Sequence, residues 1–143
     1  MKNKYLLCFL FLWHCYSCTL EPRIAIPQEL KQELVRTGHY NSYVRLLNQS
    51  LDSNNVEDLS HFLSIDYFST CSTGSEHGQI LLEILREKGD VSVFKALTLL
   101  SQSKKMSVKG YLLIGIDSQE KCDISYFIEK YPRSFGYLKI KPW

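Results

Sequence analysis

Gln79-Ile80-Leu81-Leu82-Glu83-Ile84-Leu85-Arg86-Glu87-Lys88-Gly89-Asp90-Val91-Ser92-Val93-Phe94-Lys95-Ala96-Leu97-Thr98-Leu99-Leu100 is the stretch that decides the fold. Ile80, Leu81, Ile84 and Leu85 recur at helical spacing, with Glu83, Arg86, Glu87 and Lys88 on the opposite side. Gly89 can end that helix, and Asp90 is placed to cap the next one. In the second helix Val93, Phe94, Leu97 and Leu100 make a broad apolar surface. Helix, Gly-Asp turn, helix predicts an antiparallel hairpin of two helices.

The same periodicity extends toward the N-terminus. Pro27 suits a first helical turn and Glu29 the positive end of its dipole; Leu30, Leu34 and Val35 share a face, and Gly38 can close the helix. Tyr40, Tyr43, Val44, Leu47 and Leu51 predict a second helix that stops at Asp52-Ser53-Asn54-Asn55. From Val56, the residues Leu59, Phe62, Leu63, Tyr67 and Phe68 continue the pattern in a third. Ser69 to Ser75 reads as a loop by composition, with Ser75 capping a helix that begins near Glu76.

Downstream, Val108 to Ile116 fits either a buried strand or a buried helix, and the helix is preferred because a lone strand has no partner. Ser125 to Tyr131 is a short helix stopped by Pro132, and Phe135 to Lys141 alternates weakly as an extended tail would. The expectation is an all-α protein: a compact bundle of short amphipathic helices, with a short helical solenoid as the less favoured alternative.

Met-Lys-Asn-Lys followed by the apolar run Tyr5 to Trp13 reads as an export signal, since roughly ten apolar residues fall well short of the ~20 that span a bilayer. The segment ending in Ser17-Cys18 resembles bacterial lipoprotein signals, in which the cysteine thiol receives a diacylglyceryl group before cleavage. The resemblance covers residues 1–18 and implies a lipid on Cys18. An ordinary signal peptide cut near Ser17 or Cys18, releasing a secreted or periplasmic protein, is the alternative. The chain then divides into a signal at 1–17, a tether at 18–26 and a single helical domain at 27–143. Loss of Lys2 and Lys4 makes basic and acidic residues equal in number, so no global basic field favours nucleic acid.

Cys8 and Cys15 fall in the discarded segment, which leaves Cys71 and Cys122 beyond Cys18. In an oxidising compartment their pairing would close a loop of about 50 residues and stabilise by ~4 kcal/mol in the chain-entropy model. Two separate thiols remain the alternative, because geometry decides pairing. No metal-ligand spacing, cofactor motif or nucleophile elbow is present.

Asp58 and His61 lie three apart on one helical face, where a surface pair explains them better than acid–base chemistry. Ser72-Thr73-Gly74-Ser75-Glu76-His77-Gly78 collects hydroxyl, carboxylate and imidazole, the best local ingredients for a small hydrolase using His77 or His61. Helix capping explains that run more simply. Asn48-Gln49-Ser50 matches a glycosylation acceptor, although inside a predicted helix. Tyr126, Tyr131, Phe135, Tyr137 and Trp143 make a C-terminal aromatic supply suited to an interaction surface. The functional expectation is an envelope interaction module with a protein partner, held to the membrane by lipid. A small hydrolase and a purely structural envelope protein are the alternatives.

Overall fold

A computed structural model describes residues 20–68, 70–119 and 123–142. Among them the chain forms seven helices and no strand: α1 Gln28–Arg36, α2 Tyr40–Asp52, α3 Val56–Leu63, α4 Cys71–Thr98, α5 Gln102–Asp117, α6 Ile124–Lys130 and α7 Pro132–Tyr137. The all-α expectation holds. α4, two helical arms that meet at Gly89, is central, packing against α1, α3, α5 and α7. Contacts between α4 and elements from both ends of the chain make this a bundle; a solenoid would join only sequence neighbours.

Each helix start has a local cause. Asn55, Thr70, Ser101 and Asp123 place side-chain oxygens on the free amides of Glu57, Thr73, Lys104 and Ser125. α1 has no cap of its own behind Pro27, and the Glu76 carboxylate of α4 reaches across to the Leu30 N–H instead. Its C-terminus closes as expected on Gly38, at φ 74°, with the His39 N–H bonded to the Leu34 carbonyl at 2.8 Å. The segment before α1 lies against α2: the Asn48 amide accepts from the Arg23 N–H and donates to the Glu21 carbonyl.

Four expectations need correction. The polar run after Ser69 is not a loop: Thr70 caps α4 there, so Ser75 lies inside the helix. α3 stops at Leu63, leaving Tyr67 and Phe68 outside the helix, in the connection to α4. Gly89 does break α4, at φ 77° and ψ 163°, but Asp90 does not cap the arm that follows. Its two carboxylate oxygens accept from the Arg133 and Ser134 amides at 2.9 and 2.8 Å, capping α7. That distant cap, with Pro132 in the first turn, makes the expected extended tail helical through Tyr137. The ambiguous stretch at 108–116 is helix, with Val108, Leu112 and Ile116 buried four residues apart.

The core runs continuously from Leu30 and Leu34 through Tyr43, Leu47 and Phe62 to Phe127, Phe135 and Ile140. Where α4 crosses α5, the approach is set by glycine. A Cβ on Gly78 would lie 2.0 Å from the Tyr111 carbonyl oxygen, and one on Gly115 would lie 2.6 Å from the Gly78 carbonyl carbon. The two backbones therefore touch.

Candidate functional site

The helical start of α4 disperses the catalytic ingredients of residues 72–78 over different faces. Ser72 and Glu76, one turn apart, turn toward α1, where the Ser72 hydroxyl donates to Glu29. Thr73 and His77, also one turn apart, turn inward and are buried. His77 is 0% exposed, enclosed by Tyr43, Phe62, Phe68 and Tyr111. Burial lowers its pKa from 6.5 to about 3, and burial likewise raises that of Tyr43.

Both groups are therefore neutral, and the Tyr43 hydroxyl lies 2.8 Å from His77 Nδ1. If Tyr43 donates, the one unpaired atom is Nε2; the other tautomer would also strand the phenolic proton. Nε2–H then has no hydrogen-bond acceptor among the described residues, and the Tyr111 ring stands perpendicular to the imidazole at 5.0 Å between centroids. An imidazole sealed in this way cannot reach a substrate, so His77 belongs to the core.

His61 is exposed on α3, in a groove of about 400 Å³ shared with Ser60, Ser64 and Ser101. No hydrogen bond joins its ring to Asp58 or to those hydroxyls, so no oriented base is formed. Among the described residues no group of three His, Cys, Asp or Glu side chains could hold a metal ion. Cys71 is an exposed free thiol in the first turn of α4. Cys18, Cys122 and Trp143 lie outside the described residues. Asn48 is committed to the chain before α1 and Ser50 is buried on the Leu47 carbonyl, which closes off that acceptor pattern.

The C-terminal aromatic set divides. Phe135 and Tyr131 are buried, a correction to their place on an interaction surface; Phe135 stacks on Phe127, and both rings fill the space under α4 and α7. Tyr126 and Tyr137 stay exposed, at 49% and 37%, and each is held by a lysine. Lys130 Nζ donates to the Tyr126 hydroxyl at 2.7 Å, and that hydrogen bond foremost raises the Lys130 pKa. Lys105 Nζ donates to the Tyr137 hydroxyl at 2.8 Å and lies 4.9 Å from the ring centroid.

Sequence reading missed what surrounds Tyr137. Between α5 and the end of α7 lies a groove of about 240 Å³ lined by Lys105, Met106, Lys109, Tyr137, Leu138 and Lys139. Lys105 and Lys109 are one turn apart on α5, and Lys109 Nζ donates to the Lys139 carbonyl at 2.9 Å. Among the described residues none of the three lysines pairs with a carboxylate, unlike Lys104, which pairs with Asp66 at 2.6 Å. The signal was present as an absence: residues 102–116 and 131–142 contain six basic side chains and no acidic one.

The fold and this surface define a small all-α protein with a basic, aromatic-edged groove and a closed core. Compared with known proteins, the chain matches no family model, no curated protein and no solved structure. Among the described residues no helix is long and apolar enough to cross a membrane.

Proposed function

We propose that the protein is an exported, lipid-anchored helical module that acts at the cell envelope by binding a protein partner. Export and the lipid on Cys18 rest on the resemblance of residues 1–18 to bacterial lipoprotein signals. Binding rests chiefly on one observation: Tyr126 is half exposed, edge-on to the buried Phe127 and in contact with Lys130, so it offers a large ring whose base is supported by the core. An exposed aromatic backed by core residues has the large contact area that binding hot spots favour. The burial of His77 and the unpaired ring of His61 favour binding over hydrolysis.

Two measurements test this reading separately. Intact-mass analysis of protein from the membrane fraction should find a mature chain that starts at Cys18 and carries acyl mass; a Cys18 terminus without it removes the anchor. A photo-crosslinking residue at position 126 should capture a protein in the native envelope, with capture reduced at least tenfold in Lys130→Ala. Equal capture from position 45, on the exposed side of α2, would remove the assigned surface.

A further inference from the structure

We infer that the groove between α5 and α7 is the face by which this protein lies on an anionic phospholipid surface. The inference rests on the envelope placement proposed above and assigns to the membrane a surface distinct from Tyr126.

Charge distribution carries it. Beyond residue 17 the chain is neutral, but residues 102–116 and 131–142 hold six basic side chains without an acid, leaving nine basic against fifteen acidic elsewhere. The two segments meet at the groove, where Lys105 and Lys109 bond Tyr137 and the Lys139 carbonyl. Lys105, Lys109 and Lys139 thus gather three positive charges at one groove, and an anionic plane attracts that face. The groove also exposes Met106, at 57%, next to Tyr137. An apolar side chain and an aromatic hydroxyl flanked by lysines match the interfacial zone of a bilayer, where rings sit at headgroup depth and lysine stems lie along apolar surface.

Lys139 adds a separate observation. It has φ 52°, the left-handed cap position of α7, where the Ile140 N–H reaches the Phe135 carbonyl and the Lys139 N–H that of Gly136. Glycine is the favoured residue at such a cap, as at Gly38. Here the chain places a lysine at the rim of the basic groove instead.

The test uses a chain beginning at Thr19, which keeps every core residue from Leu30 to Ile140 and carries no acyl group. It should sediment with phosphatidylglycerol-containing vesicles and not with pure phosphatidylcholine, and more weakly as salt rises. Each lysine lost should weaken binding about fivefold, so K105Q/K109Q should cost about 25-fold. The control K31Q/R45Q, with the same charge change on α1 and α2, should cost less than about twofold. K139G should bind about fivefold more weakly while unfolding at higher denaturant, a combination that misfolding cannot produce. Equal losses in the two double variants, full binding by K139G, or no binding to the acidic vesicles overturns the assignment. So does retention of inorganic polyphosphate or an acidic protein without vesicle binding. Because no acyl chain is present, this result is read independently of Cys18 processing.

Discussion

His77 is a neutral imidazole where water cannot follow, and that makes folding acid-sensitive. Its folded pKa of about 3 lies below its unfolded value of 6.5, so between those values the unfolded state binds the additional proton. Stability is complete above pH 6.5 and falls as pH drops toward 3, by about 2 kcal/mol at pH 5. Urea midpoints measured from pH 7.5 to 4.5 should fall for the wild type, and His77→Leu should show a shallower decline over the same window. Parallel profiles would mean that another group carries the effect. Lys139 makes a second prediction at this scale: relieving its left-handed backbone with Lys139→Gly should stabilise the fold by about 1 kcal/mol in urea.

The crossing of α4 and α5 turns single glycines into determinants of helix spacing. Gly78→Ala forces a methyl group into the Tyr111 carbonyl and should cost about 3 kcal/mol or more, since backbone cannot rotate away as a side chain would. Gly110→Ala on the same α5 meets nothing within 4 Å and should stabilise by about 0.5–1 kcal/mol. Urea denaturation of the two variants checks the contrast; similar midpoints would show that the helices do not touch there. Gly74 and Gly78 stand four apart in sequence, as do Tyr111 and Gly115, so a close helix pair was legible in principle. In isolation Ser72-Thr73-Gly74-Ser75 has loop composition, because intrinsic propensity counts glycine as a breaker and cannot see the helix it makes room for. Asp90 shows the same limit: a carboxylate behind a glycine signals a cap, but which helix it caps depends on residues 43 and 44 positions away. Asp90→Ala should cost about 1–2 kcal/mol and speed amide exchange at Arg133 and Ser134 before the rest of the core.

At the scale of the whole molecule, amphipathic periodicity was sufficient for the all-α class, because Leu30/Leu34, Leu47/Leu51 and Ile80/Ile84 repeat a buried face whatever lies opposite. Which aromatic rings would remain outside was not legible. Phe135 and Tyr137 are two apart in one short helix, and only the position of α4 decides that the first is core and the second surface. The basic groove is likewise a product of assembly, since α5 supplies Lys105 and Lys109 and the turn after α7 supplies Lys139. The bond from Asp90 to Ser134 also sets an order of events. The central helix acquires its α7 neighbour only after more than forty further residues have emerged, so Phe127, Phe135 and Ile140 complete the core last. Until those residues are in place, only the strip of α4 that α7 covers stays open, because α1, α3 and α5 cover the rest. A chain cut before Pro132 would therefore keep most of its helical contacts and bare a single apolar strip along α4.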